Sequence, residues 1–182
     1  MTSSTTLSKE QISKALDYGA ATIHEAAGRT GALPSTIKPV NPAFKLAGPA
    51  FTVHCPQFDN LWLHRALYEA KPGDVLVVFT NGGIEAGYWG EILNTAALAL
   101  ALGGLVIEGG VRDVAALANQ KFPVFSNGVC LRGTGKDYGA IGWLGAPVCI
   151  GNVTVHHGDL IVGDADGVIA LPASEVTKVL QA

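Results

Sequence analysis

Between Val75 and Asn119 the chain passes twice through one pattern: an apolar run, a glycine-rich break and a helical segment. Val75 to Phe79 is continuously apolar, the mark of a strand buried on both faces. A polar loop, Thr80 to Gly87, follows, and Gly90 to Leu102 reads as a small-residue helix stopped by Gly103-Gly104. Leu105 to Ile107 is a second buried strand, Glu108-Gly109-Gly110 a tight turn, and Val111 to Asn119 another helix. A βαβα succession argues for a parallel layer with helices packed on it. The class is therefore α/β.

The flanks fit the same picture. Ser8-Lys9-Glu10-Gln11 resembles a capping box before a short helix reaching Tyr18, and a second short helix covers Ala21 to Ala27. Leu46 to Cys55 reads as a strand whose Gly48-Pro49 interruption predicts an edge or a bulge. Asn60 to Ala70 sets Leu61, His64, Leu67 and Tyr68 at helical spacing, ended by Lys71-Pro72-Gly73-Asp74. Val153 to Val155 and Leu160 to Val162 flank His156-His157-Gly158-Asp159, Asp166-Gly167 marks a hairpin, and Pro172 begins a final helix to Leu180. With no repeat, low-complexity run or composition break, residues 1–182 are expected to form one domain with a mixed sheet, in two layers if the meander stacks.

Composition narrows the function classes. Hydrophobic residues make up 48% and charged residues 15%, which excludes disorder and predicts burial of surface against other copies of the chain. A net charge of −3 without a Lys/Arg block argues against nucleic acid, and no apolar run approaches the roughly 18 residues of a membrane span. Met1 to Lys9 is Ser/Thr-rich without an apolar signal segment, so a cytoplasmic protein is expected. Cys55, Cys130 and Cys149, widely spaced, read as small core residues in a reducing compartment. Patterns for P-loops, dinucleotide folds, zinc proteases and serine hydrolases are absent.

Chemistry concentrates behind the two apolar strands. The helix beginning at Gly90-Glu91-Ile92-Leu93 presents unpaired N–H groups, suited to a carboxylate or phosphate. Gly109-Gly110-Val111-Arg112-Asp113 emerges beyond the second strand's C-terminal end, where open α/β sheets bind ligands. Arg112 offers a planar donor fork for a carboxylate or enolate oxygen, and Asp113 is a hard oxygen ligand for Mg²⁺. A plainer reading makes Glu91 a first-turn acid, Asp113 a cap and Arg112 a surface ion-pair partner. Lys136, in a Gly-rich loop, could add positive charge or simply be solvated; His64, one turn from Asn60, could line a pocket or be a buried hydrogen-bonded residue. His156 and His157 are expected to be loop histidines, because adjacent strand residues point to opposite faces.

Glu91, twenty residues, then Arg112-Asp113 resembles the acidic-X20-Arg-Asp signature of the 4-hydroxy-4-methyl-2-oxoglutarate aldolase family, which is related to the regulator of ribonuclease E activity A (RraA). Asp59-Asn60-Leu61 with His64, Gly73-Asp74-Val75 and the Gly158-Asp159…Asp164-Ala165-Asp166-Gly167-Val168 tail support it, so the resemblance runs from about Ala20 to Leu171. It implies a fold similar to swivelling phosphohistidine-type β/β/α domains, in trimers or hexamers with sites near protomer interfaces. It also implies a class II aldolase that uses Mg²⁺ or Mn²⁺, releases pyruvate from 4-hydroxy-2-oxo acids and decarboxylates oxaloacetate. By the motif match, Gly90, Glu91, Ile92 and Leu93 receive the pyruvyl carboxylate and Arg112 the enolate oxygen. Asp113 binds the metal directly and Glu91 through water, while Lys136, Asn60 and Glu25 fall where the family has pocket residues. Glu91 replaces the Asp of several aldolases. The sequence ends at Ala182, short of the longer tail common in the aldolases and nearer the regulators, which often lack the Asp kept here as Asp113. The rivals implied by the same resemblance are a non-catalytic regulator of an RNA-degrading enzyme, acting by protein–protein binding, and the same site adapted to another pathway's substrate.

Overall fold

The computed structural model describes residues 6–182. In chain order the elements are α1 (Lys9–Ala26), β1 (Lys38–Pro39), β2 (Leu46–His54), α2 (Leu61–Glu69), β3 (Val75–Phe79), β4 (Gly87–Trp89), α3 (Glu91–Ala99), β5 (Gly104–Ile107), β6 (Gly110–Val111) and α4 (Val114–Asn119). There follow β7 (Val124–Ser126), β8 (Trp143–Leu144), β9 (Val148–Ile150), β10 (Val153–Val155), β11 (Leu160–Asp164), β12 (Gly167–Leu171) and α5 (Val176–Val179). The main sheet has the order β1-β7-β5-β3-β2-β11-β12, with β8 joined to the end of β2. Its centre, β2-β3-β5-β7, is parallel, and the β11–β12 hairpin adds antiparallel to β2.

The two-residue alternation of strands divides the core. Leu76, Val78, Leu105 and Ile107 pack against Leu63 of α2, Leu93 of α3 and Leu117 of α4. Val75, Val77 and Val106 face the other way, onto Val148, Ile150 and Val155 of the β9–β10 ribbon. A ribbon, a mixed sheet and a helical layer are stacked, which is the β/β/α arrangement expected. A third cluster seats α1 and α5 on β11 and β12 through Ile23, Val176, Leu160 and Val162.

Several local expectations are corrected. Gly48-Pro49 lies in a central strand: Leu46 to Pro49 pairs with β11, and from Ala50 onward β2 pairs with β3. Proline, lacking an N–H, is tolerated where the strand changes neighbours. The two expected N-terminal helices are present, separated at Gly19, whose φ of 76° suits glycine; the Asp164 carboxylate accepts the Ala20 N–H at 2.7 Å just after the break. Val111 belongs to a strand, and the helix after it starts at Val114. The last helix is a single turn, Val176–Val179. Cys55 is buried, but Cys130 is half-buried and Cys149 exposed, so those two are not core residues. The expectation about the chain's start falls largely on residues 1–5, outside the described residues. Among the described residues no helix is long and apolar enough to cross a membrane.

His54 ends β2 stacked on Trp143 (ring centroids 3.8 Å apart), 8% exposed, its Nδ1 without a partner. Burial holds its pKa below the ordinary 6.5. The unfolded chain therefore takes up this proton first as the medium is acidified, so stability is expected to fall as pH drops through 6.5. His54→Phe should flatten that slope in urea melts at pH 5 and 7; an unchanged slope would clear His54 of the effect.

Candidate active site

The twenty-residue interval is explained by a small second ladder. β4 and β6 pair in parallel, with Gly87 opposite Gly110 and Trp89 opposite Val111. The residues leaving the two strands, Gly90-Glu91 and Arg112-Asp113, therefore emerge side by side. The Arg112 N–H donates to the Trp89 carbonyl at 2.9 Å. Asp113 has φ 58° and ψ 35°, a left-handed conformation that Asp tolerates better than most residues. Its side chain makes no cap bond to its own helix. Instead Oδ2 accepts the Glu91 N–H at 3.1 Å, at the start of α3.

This arrangement needs glycine at 90. A Cβ there would run into Asp113 Oδ2 and come within 3.2 Å of Arg112 Cγ, while one at Gly87 would lie 3.2 Å from Arg112 Cβ. The guanidinium Nε stands 4.0 Å from Asp113 Oδ2, with both side chains 45% exposed. Such a loose pair contributes little to stability and leaves both groups free for a ligand.

A cleft of about 110 Å³ lies over these residues, lined by Asn60, His64, Gly90, Arg112, Asp113 and Lys136 among others. The structure thus brings together every sequence-predicted site residue except two. Glu91 is exposed at the first turn of α3, between the lining residues Gly90 and Ile92, and contributes its N–H to Asp113. Glu25 sits on α1, paired with Arg29 at 2.8 Å, and does not line the cleft. α3 has no side-chain cap at Gly90, so the next N–H groups, of Ile92 and Leu93, point along the helix axis uncapped by any described side chain. Asn60 donates from Nδ2 to the Tyr88 carbonyl at 2.9 Å, while its Oδ1 is buried without a partner. His64 is held below its ordinary pKa by burial, then by the nearby Lys136, against the opposing pull of Asp59; its imidazole is neutral at pH 7.

Sequence reasoning read Asp59 only as a motif residue and missed its role. Its carboxylate is 5% exposed and accepts the Leu61 N–H at 2.8 Å and the Asp137 N–H at 2.5 Å. Gly135 bonds the same segment through the Phe58 carbonyl and the Asn60 N–H. Asp59 thereby staples the start of α2, which carries Asn60 and His64, to the loop that carries Lys136. An Asp followed two residues later by a helix start is a common local cap, so nothing in the sequence pointed to the distant loop. Asp59→Ala would leave the buried Leu61 N–H and the part-buried Asp137 N–H unpaired, at about 2 kcal/mol, lowering Tm by about 4–8 °C in a chain of this size. A thermal melt unchanged within 1 °C (roughly a few tenths of a kcal/mol) would show the staple to be idle. Trp89, Asn94 and Gln120 form a second unforeseen support: Trp89 Nε1 donates to Asn94 Oδ1 at 2.8 Å, and Asn94 Nδ2 to Gln120 Oε1 at 2.6 Å, tying α3 to α4.

The sequence pattern of RraA-like proteins (Aldolase/RraA) matches residues 13–170. The chain belongs to the RraA-like family. A relative from Halalkalibacterium halodurans named "Putative 4-hydroxy-4-methyl-2-oxoglutarate aldolase" is 40% identical over 149 residues, 82% of this chain and 70% of that protein. A crystal structure described as "novel cellulases from microbes associated with the gut ecosystem" superposes with TM-score 0.85 at 28% identity, over 96% of this chain and 82% of that one. Streptomyces coelicolor RraAS2, described as an unusual member of the RNase ES inhibitor RraA protein family, gives TM-score 0.82 at 26% identity, over 97% and 91%.

Proposed function

We propose that this RraA-like chain is a metal-dependent lyase that cleaves 4-hydroxy-2-oxo acids, of the 4-hydroxy-4-methyl-2-oxoglutarate type, to pyruvate, and that decarboxylates oxaloacetate through the same enolate. The observation that carries the reading is the Asp113 carboxylate, held in a left-handed turn beside the Arg112 guanidinium at the mouth of a polar cleft. The aldolase named among its relatives supports it.

The residues fit Mg²⁺ or Mn²⁺. Mg²⁺ keeps waters and takes one or two carboxylates plus substrate oxygens, and Asp113 offers one such carboxylate at the cleft. The bare Gly90 leaves the Asp113 carboxylate accessible. Asp113 would hold such an ion directly and Glu91 through water, and the bound ion would polarise the 2-oxo group as a Lewis acid.

The chain's own residues supply the rest. The uncapped Ile92 and Leu93 N–H groups receive the substrate carboxylate, with Lys136 adding positive charge. Arg112 donates to the 2-oxo oxygen as it becomes an enolate oxygen. In cleavage the C4 hydroxyl loses its proton, the C3–C4 bond breaks with its electron pair moving into the enolate, and C3 then takes a proton. The Glu91 carboxylate holds the water that ferries it. Oxaloacetate loses CO₂ to the same enolate and needs no base at a hydroxyl.

The deciding experiment is pyruvate release from several 4-hydroxy-2-oxo acids and oxaloacetate, with and without Mg²⁺. No pyruvate from any of them would favour the second reading, inhibition of an RNA-degrading enzyme, which the description of the Streptomyces relative supports. We also expect a homo-oligomer, trimeric or hexameric, because Ile92, Val129, Leu131, Tyr138 and Ile141 are each more than two-thirds exposed in the single chain. A light-scattering mass near 18.8 kDa at micromolar concentration would reject it.

A further inference from the structure

Asn60 is the N-cap of α2, a position where asparagine ordinarily turns its side-chain oxygen onto the first free N–H groups of the helix. Here the side chain makes no cap bond, and the Leu61 N–H donates to Asp59 instead. The Leu63 and His64 N–H groups donate to the main-chain carbonyl of Asn60. The Asn60 amide belongs to the cleft wall, where Nδ2 donates to the Tyr88 carbonyl. A carbonyl only accepts, so the nitrogen must face it and the atom left over is Oδ1. Asn60 is 7% exposed, and no group among the described residues donates to this oxygen. A buried acceptor without a donor is rare in native proteins because it is costly. With Asp59 taking over the cap, one acceptor of the cleft is left for whatever fills it.

A 4-hydroxy-2-oxo acid with its carboxylates ionised carries a single donor, the C4 hydroxyl. Its one hydrogen has to leave during cleavage, and an amide oxygen is too weak a base to take it. Water is the donor that remains. We infer that Asn60 Oδ1 anchors the water that takes the C4 proton. The inference rests on the lyase reading above and names the group that positions its proton carrier. One hydrogen of that water points to the Glu91 carboxylate and the other to Oδ1, which leaves a lone pair for the C4 hydroxyl and makes it more basic. Tyr88, whose carbonyl holds the amide, stands three residues before Glu91. As C3–C4 breaks, the hydroxyl proton passes to the water, a water proton passes to Glu91 and the bonding pair enters the enolate. The same chain then returns a proton to C3. Oδ1 is closed to solvent, but the side chains beside it can yield: His64 is half-buried and Lys136 exposed. Asn60 touches the water and not the substrate, so it is a positioning residue.

The test exploits oxaloacetate, whose decarboxylation removes no hydroxyl proton. On the full chain with Mg²⁺, kcat and KM are measured for pyruvate release from 4-hydroxy-4-methyl-2-oxoglutarate and for CO₂ release from oxaloacetate. Asn60→Ala is expected to lower kcat for cleavage by about tenfold or more, with KM within about twofold and decarboxylation within about threefold of wild type. Asn60→Ser, whose hydroxyl can cap α2, should give the same split and keeps the test open if the alanine variant does not fold. Asn60→Asp retains an acceptor oxygen and should hold the ratio of the two activities within about threefold of wild type. Equal losses in both activities overturn the assignment, because Asn60 then serves the shared enolate site or the fold. Unchanged cleavage in a folded alanine or serine variant overturns it too, as does an aspartate variant whose ratio is as low as that of alanine. Each of these outcomes leaves the lyase reading standing. No pyruvate from the 4-hydroxy acid and no CO₂ from oxaloacetate with the wild-type chain overturns the lyase reading itself, and the assignment of Asn60 with it.

Discussion

Chelation with EDTA is expected to take pyruvate release to background, and Mg²⁺ or Mn²⁺ to restore it. The alternative way to stabilise a pyruvate enolate is a Schiff base with a lysine. Lys136 makes that alternative concrete, because the 132–136 loop brings its side chain to the cleft. The neighbours differ from those of a Schiff-base lysine, however. Arg112 and Asp113 sit opposite, and Asp113 presents its carboxylate where an ion and a 2-oxo acid would meet. In the metal-dependent mechanism Lys136→Met raises KM and leaves most of kcat, since the lysine contributes charge alone. In a Schiff-base mechanism the same variant is dead, activity survives EDTA, and borohydride traps pyruvate on the protein. The second pattern would refute metal dependence.

Arg112→Lys is expected to lower kcat about a hundredfold, on the order of 3 kcal/mol. The guanidinium can engage a carboxylate and an enolate oxygen at once, whereas an ammonium is a shorter point charge. Its stem is also fitted: Gly87 and Gly90 are bare where it passes, and Gly133 lies 3.7 Å from its Nη1 when a Cβ is placed there. Lysine retains the charge and loses the fork. The guanidinium is 45% exposed, so the effect is set at the low end of what removal of one preorganised donor costs. Because part of the contact forms only as the enolate develops, kcat should fall more than KM rises. A Lys variant with more than about a third of wild-type kcat on every substrate would make Arg112 an ordinary ion-pair partner.

The residues of the site were more legible than the geometry that assembles them. Val75 to Phe79 and Leu105 to Ile107 were readable because strands buried on both faces have no polar positions. Ser8 and Gln11 form the capping box their spacing requires, with bonds of 2.8 and 3.1 Å. The β4–β6 ladder was not readable, since strands of three and two residues containing glycine carry no periodicity. The loops thought to meet directly beyond β3 and β5 are held by this additional pair. The helix start was read at Val111 rather than at Asp113, and the approach of the Asp113 side chain to α3 depends on Gly90 being bare. Pro49 misled because the rule that proline avoids central strands assumes one neighbour along the whole strand.

The β4–β6 ladder also accounts for the number twenty. From Trp89 the chain descends through nine residues of α3, about 13.5 Å at 1.5 Å per residue. It climbs back through four residues of β5, about 13 Å at 3.3 Å per residue. The interval is a round trip, and its length follows from matching a descent to an ascent. A chain with one more turn of helix and two more residues of strand would return to the same level with its Arg-Asp pair still beside the acidic residue, about twenty-six residues intervening. Alignment of Trp89 with Val111 is the invariant, and a search keyed to a fixed interval would pass over such a chain.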